Sequence, residues 1–251
     1  MKRIAYIQST DGIRPYGVNG MMAEAGFRKM SYDIQYFEYS QINNLDLTGT
    51  CQVVGGVGTI HAVLEMLNRP LPRLQSIPDS LHSYLGRKCW ITSAGEFRKN
   101  AKYPLFIKPA YKAKVFTGTI VTNEDELDTV FMSKPGFNEI TDDFDLMVQE
   151  PIQIASEWRS FILNGQVIGL GSITGNPLLV PNSDKINEIL NNFEEAPSAF
   201  AADFGVTPEG KTILVEVNDG YSLGHGCLLP LAYAQLLKTR WEELIQDQMN
   251  Y

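Results

Sequence analysis

The dipeptide Asn164-Gly165, set inside EWRSFILNGQVIGLGSI, constrains this 251-residue chain more than any other feature. Asn and Gly tolerate the positive φ of a two-residue primed turn, so the flanking apolar runs should fold back as an antiparallel hairpin. A second hairpin is expected in SAFAADFGVTPEGKTILVEVN, turning at Pro208-Glu209-Gly210. Side chains alternate between the faces of a strand. Ile213, Val215 and Val217 are therefore expected on one face of the last strand, with Leu214, Glu216 and Asn218 on the other. A buried sheet face rejects a carboxylate unless something neutralises it. Asp203 lies on the partner strand. Brought together, Asp203 and Glu216 would repel by a few kcal/mol, on the order of what short-range charges feel in a poorly solvated site. With Asn218 they offer an oxygen-only donor set of the kind Mg2+ takes, alongside waters and substrate phosphates. The simpler alternative is a strand end whose polar residues reach solvent.

The rest of the chain alternates strands and helices. RIAYIQ and CQVVGGVG read as strands, and TIHAVLEMLNRP as a helix with apolar spacing at Ile60, Val63, Leu64 and Leu67, stopped by Pro70. They form an amino-terminal α/β unit over residues 1–80, closed by the proline-rich connector RPLPRLQSIPDS. From Lys88 onward KCWITS, PLFIKPA, TIVT and DLMVQEPI read as strands. NEDELDTVFM reads as a helix capped by Asn123 with acids in its first turn, SDKINEILNNF as another, and PLAYAQLLKTRWEELIQDQM as a terminal amphipathic helix. The expected class is α/β (α+β). The second domain, 81–251, divides into 81–148 with the basic loop and 149–251 with the acid-bearing hairpin.

Composition narrows the function classes. A formal net charge of −8 argues against nucleic acid as the partner. No run approaches the roughly 18–20 apolar residues of a membrane span, and MKRIAYIQST lacks a signal-peptide cleavage site. Cys51, Cys89 and Cys227 are odd in number and far apart, which suits reduced thiols in the cytoplasm. Between Arg87 and Lys114, eight basic residues face one acid, Glu96. That stretch is either a solvated basic face or the holder of a small anion.

Lys108 stands inside the otherwise apolar PLFIKPA, where an ammonium needs a partner. Just beyond it, YKAKVFTG offers Lys112, Lys114 and Gly118 on a hairpin loop, so strand lysine and basic loop together could clamp a polyphosphate. Glu150 ends a strand before Pro151, which frees backbone groups for a flat base. Glu157 and Arg159 share a face of the next strand, a carboxylate for ribose hydroxyls and a guanidinium for phosphate, or else a surface ion pair. The glycines of VVGGVG do not make a dinucleotide fingerprint, because His61 falls where the third small residue belongs.

Taken in order, these residues resemble the ATP-grasp superfamily from about Lys88 to Arg240: the lysine of FIKP, the basic loop, the pair Glu150 and Glu157, and Asp203 followed by the Glu-x-Asn of Glu216 and Asn218. SEWRSFILNGQVIG further resembles the small-protein clade of that superfamily named for two arginines and a lysine. The resemblance implies an ATP-grasp fold of two α+β subdomains after an amino-terminal α/β unit, with ATP between the subdomains. It implies Lys108 and Lys114 at the phosphates, Gln149, Glu150 and the Ile152 backbone around adenine, Glu157 at ribose, and Asp203, Glu216 and Asn218 on Mg2+. Lys108 and Arg159 would be catalytic, stabilising charge on the transferring phosphoryl group. The implied reaction activates a carboxylate as an acylphosphate for attack by an amine, with small-molecule or peptide substrates. A kinase or an inactive nucleotide-binding module on the same scaffold are the alternatives. Two departures stand out: Ala201 occupies a position where many members carry arginine, and the first ATP lysine has no counterpart beyond Lys88. Tyr221, Ser222 and His225 occupy the place where members shape the acceptor pocket.

Overall fold

The computed structural model describes residues 3–47, 51–72, 76–111, 115–132 and 140–246. The amino-terminal unit is a parallel three-stranded sheet, β1 (Ile4–Gln8), β2 (Asp33–Phe37) and β3 (Cys51–Val54), in the order β2-β1-β3, with helices α1 (Gly17–Lys29) and α2 (Val57–Met66). The middle layer contains β4 (Cys89–Ser93), α3 (Ala94–Asn100), β5 (Leu105–Pro109), β6 (Thr119–Val121), α4 (Glu124–Met132) and β7 (Asp145–Gln149), its antiparallel sheet ordered β4-β7-β5-β6. The last layer contains β8 (Ser156–Leu163), β9 (Gln166–Gly175), α5 (Ser183–Asn191), β10 (Ala199–Val206), β11 (Thr212–Asp219) and α6 (Pro230–Ile245). Its sheet is antiparallel with the order β11-β10-β8-β9.

The turn chemistry acts as expected. Asn164 and Gly165 take φ of 49° and 76° and join β8 to β9, while Gly210 N–H closes the second hairpin on the Thr207 carbonyl. Asn123 caps α4 by accepting from the Glu126 N–H at 2.9 Å. The structure adds α1, β2 and α3, which the sequence patterning does not announce. For α1 the reason is physical: its buried face is Gly20, Ala23, Gly26 and Phe27, while Val18 and Met21 point to solvent. A contact made of small residues leaves no apolar stripe to read.

The strict alternation expected along β11 needs correcting. Asp203 pairs with Glu216, yet the next residue of β10, Phe204, pairs with Leu214, so Val215 is the extra residue of a β-bulge. Leu214 and Val217 therefore turn into the core with Ala202 and Phe204, and Ile213, opposite Gly205, shares the face of Glu216.

Three packing units bear on the site. One core draws Phe97, Leu105, Ile107, Phe131, Leu146 and Val148 from the middle layer alone. Another lies between the last sheet and α5, with Ile162, Phe200, Phe204, Leu214 and Ile189, and takes in Leu81, Leu85, Ala110 and Met147 from the segment before β4 and from the middle layer. A third merges the amino-terminal unit with the last layer, packing Ile7, Phe27 and Val54 against Phe161, Ala201 and Leu237. Here α1 crosses α6 so closely that Gly26 has no room for a side chain: a Cβ would sit 2.0 Å from the Pro230 carbonyl oxygen.

Candidate functional site

Register brings the polar residues of the last sheet into one row. Arg159 on β8 stands opposite Asp203 on β10, which stands opposite Glu216 on β11. Two residues along in one direction lie Glu157 and Gly205, and in the other Phe161, Ala201 and Asn218. Period-two alternation therefore places Glu157, Arg159, Asp203, Glu216 and Asn218 on one face, as the sequence implied for the last three.

Arg159 holds Asp203 in a bidentate grip, Nε donating to Oδ1 at 2.7 Å and Nη2 to Oδ2 at 2.6 Å. Lys108 reaches across from β5 in the middle layer and donates to Glu216 Oε2 at 2.8 Å. Asn218 Nδ2 bridges the two acids, 3.3 Å from Asp203 Oδ2 and 3.2 Å from Glu216 Oε1. Asp203 is 2% exposed, and burial pushes its carboxyl up against the opposing pull of Arg159. Burial also works to raise Glu216, but Lys108 and Asn218 outweigh it and hold that carboxyl below its usual range. Glu157 is raised by burial, with the charges of Asp203 and Glu216 adding to the effect.

Arg87 is the residue that the sequence reading passed over, taking it only as one of a basic run. Its Nε donates to Gln149 Oε1 at 2.8 Å, Nη1 to the Leu85 and Leu214 carbonyls at 2.9 and 3.0 Å, and Nη2 to the Val215 carbonyl at 3.0 Å. Those last two carbonyls lie at the bulge, so the guanidinium fork fills hydrogen bonds that the broken ladder leaves open. Lys88 turns elsewhere: its Nζ lies 3.7 Å from Glu150 Oε1, and its N–H donates to Glu150 Oε2. The Glu150 carboxylate is thus tied to the start of β4, while buried Gln149 faces Arg87. Ile152 is half-buried beside Gly86. Lys114 lies outside the described residues, as does Lys112.

Ala201 has a structural explanation. It is fully buried in the core shared with the amino-terminal unit, where a guanidinium has no room, and Arg159 on the neighbouring strand supplies one on the same face. Arg240 is occupied by Asp219, at 2.7 Å through both Nε and Nη2, and by Glu243. After β11 the chain is tied to the amino-terminal unit. The Tyr221 hydroxyl lies 2.9 Å from His61 Nε2, Ser222 Oγ donates to the Gly55 carbonyl, and His225 N–H donates to Asn19 Oδ1. Burial, with Asp219 nearby, pushes the Tyr221 phenol up to about 12.

Among the described residues no three His, Cys, Asp or Glu side chains form a metal cluster by themselves. With the Asn218 amide oxygen as a third donor, two carboxylates and one amide would suit a hard cation such as Mg2+ and not a thiolate- or imidazole-seeking metal. In the structure Lys108 and Arg159 supply the positive charge that the two acids require.

A family model for the ATP-grasp domain, R2K clade family 2, matches residues 84–236. The chain is a member of that family. A search of curated proteins finds no match. Among solved structures, the R2K-clade chain is similar to a D-alanine–D-alanine ligase from Bacillus anthracis, with TM-score 0.59 and 16% identity over 98% of this chain and 97% of the other. It is also similar to an N5-carboxyaminoimidazole synthetase from Staphylococcus aureus, with TM-score 0.62 and 12% identity over 95% and 77% of the two chains. The macrocyclase MdnC from Microcystis aeruginosa, bound with the precursor peptide MdnA, aligns with TM-score 0.54 and 13% identity over 98% of this chain and all of its own. These likenesses establish the ATP-grasp fold, with a mixed helix-and-sheet architecture. No helix among the described residues is long and apolar enough to cross a membrane.

Proposed function

We propose that this R2K-clade protein is an ATP- and Mg2+-dependent carboxylate–amine ligase that forms an amide or peptide bond. The observation that carries the reading is the meeting of two sheets at one charged row, where Lys108 from the middle layer reaches Glu216 beside the Arg159–Asp203 pair. A nucleotide entering between the layers would exchange these ion pairs for its own. Lys108 turns from Glu216 to a phosphate oxygen, and Arg159 shares its fork with the phosphoryl group in flight. Glu157 accepts from ribose hydroxyls, and Gln149, Glu150 and the Ile152 backbone border the base, with Lys114 on the phosphate side. Asp203, Glu216 and Asn218 would hold Mg2+, which would supply charge to offset that of the phosphates.

In the reaction a substrate carboxylate oxygen bonds to the γ-phosphorus as the bridging bond to ADP breaks. An amine then bonds to the acyl carbon, phosphate leaves, and the amine loses a proton to solvent or a base. The ligases among the structural neighbours support this chemistry, and complexes with ATP or ADP are known for two of those proteins. The division into an amino-terminal unit, a phosphate-binding subdomain and a metal-binding subdomain belongs to the same proposal. So does a cytoplasmic setting, which the three free cysteines suit.

The test is ADP and phosphate release with Mg2+ and pools of amino acids and short peptides, read with mass spectrometry of the product. A new amide supports ligation. A phosphorylated product would move the protein to the kinase alternative, and nucleotide binding with no turnover would leave a binding module.

A further inference from the structure

The described structure holds a concavity whose lining includes none of the row of acids and comes jointly from the amino-terminal unit and the chain after β11. It measures about 590 Å3, inside the range of about 300–1,000 Å3 typical of sites that enclose a whole small molecule. Its position follows from topology. With strand order β2-β1-β3, the chain leaves β1 toward one neighbour and later returns to the other, so a crevice opens beyond the carboxyl ends of β1 and β3. Gln8 ends β1 on its wall, Gly55 and Gly56 follow β3, and Tyr221 and Ser222 come from the turn that begins two residues past Asn218. One chain segment thus runs from the proposed metal site straight into the cavity wall.

The lining is unusual in its chemistry. Among the described residues it contains no Asp, Glu, Lys, Arg or His, in a protein that is 20% charged. Side chains such as Ile7, Val54, Leu223 and Leu237 supply apolar surface. The polar groups are mostly spent: Gln8 Oε1 accepts from the Gly56 N–H and from Thr59, and Ser222 Oγ donates to Gly55. A charged side chain entering here would lose its water and find no partner. The rim continues the same character, with Tyr16 and Val18 at 66% and 58% exposure.

We infer that this cavity binds one of the two ligation substrates and selects for a short peptide, of dipeptide size, whose side chains are uncharged and predominantly apolar. A free glycine or alanine would leave most of the space empty. That the occupant is a substrate rests on the ligase reading; the preference for apolar over charged ligands rests on the lining alone.

Gly56 supplies a clean perturbation. Its φ of −69° suits any residue, and a Cβ added there meets nothing within 4 Å, so Gly56→Leu intrudes on the cavity without displacing the fold. Calorimetry in the presence of Mg2+ and a non-hydrolysable ATP analogue would compare the dipeptides Leu-Leu, Glu-Glu and Lys-Lys. The wild type should bind Leu-Leu at least tenfold more tightly than either charged peptide, and Gly56→Leu should lose at least tenfold on Leu-Leu while binding the nucleotide unchanged. Val18→Glu, at an exposed first-turn position of α1, should shift preference from Leu-Leu toward Lys-Lys without lowering the melting temperature. Equal binding of the three peptides, binding of none, or indifference to both variants overturns the inference. Running the ADP-release assay in parallel keeps the two readings apart. Selective Leu-Leu binding with no turnover of any substrate would sink the ligase reading and leave the pocket. Turnover that ignores Gly56→Leu and Val18→Glu would do the reverse.

Discussion

Lys108 and Glu216 are the two residues that the nucleotide reading most clearly asks to separate, and their pairing can be measured without any substrate. The pair spans 2.8 Å, with side chains 16% and 30% exposed. At an effective dielectric constant of about 20, the bare attraction is about 6 kcal/mol, most of it cancelled by desolvation. Losing one partner of a fully buried pair costs about 3–5 kcal/mol, and exposed pairs are worth about 0–1 kcal/mol. The partial exposure here places the coupling between those limits, at about 1–3 kcal/mol. Lys108→Met should therefore lower the melting temperature of the ligand-free protein by about 2–12 °C, given about 2–4 °C per kcal/mol for chains of this size. In a double-mutant cycle with Glu216→Gln, the double variant should be more stable than the sum of the singles predicts, by that same coupling. Adding Mg2+ and a non-hydrolysable ATP analogue at 100 times its Kd should stabilise the wild type by about 2.7 kcal/mol. Lys108→Met should show little of that gain at the same concentration. Single effects that add within about 0.5 kcal/mol would mean that the pair is not coupled. A full nucleotide-induced gain in Lys108→Met would remove the lysine from the phosphate site.

Arg87→Met strands the Gln149 amide oxygen and the carbonyls at the bulge, and should cost about 3–5 kcal/mol in chemical denaturation; Arg87→Lys should recover less than half, because one ammonium cannot reproduce a planar fork. Glu157, raised by burial, must be ionised to accept from ribose. The KM for ATP should therefore rise as pH falls through its elevated pKa, above the ordinary value of about 4.3, and Glu157→Gln should flatten that profile in steady-state assays. For folding the sign is opposite: a carboxyl raised in the native state favours folding most below its unfolded pKa, and that contribution is lost as pH rises through the folded value. Gly26→Ala forces a Cβ against the Pro230 carbonyl and should lower stability by about 3 kcal/mol or more, visible in thermal unfolding.

What the sequence makes legible here depends on whether a signal is local. Asn164-Gly165 names its own turn, and Asp203, Glu216 and Asn218 fall on one face because strand alternation is a short-range rule. The bulge at Val215 is invisible beforehand, since nothing in TILVEVN marks the extra residue; Leu214 therefore packs opposite to expectation while Glu216 stays where it was placed. Arg87 escapes for a related reason. Two of its acceptors are backbone carbonyls more than a hundred residues away, exposed by that same irregularity, and a long-range fit to main-chain atoms has no signature in residue types. Helix α1 is obscured because glycine and alanine make its contact, so the pattern that betrays most helices is missing.

The distribution of hydrophobic cores has a mechanical consequence. The amino-terminal sheet and the sheet bearing Asp203 and Glu216 share one interior and are locked at the Gly26–Pro230 crossing, so they move as a single block. The layer of β4 to β7 has an interior of its own but also sets Ala110 and Met147 into the core beneath the last sheet, and Arg87 hydrogen-bonds both Gln149 and the β11 carbonyls of Leu214 and Val215. If a nucleotide binds between the layers as proposed, exchanging the Lys108–Glu216 pair for phosphate contacts would part the two halves at that point, with Lys108 on one side and the proposed metal donors and the apolar cavity together on the other.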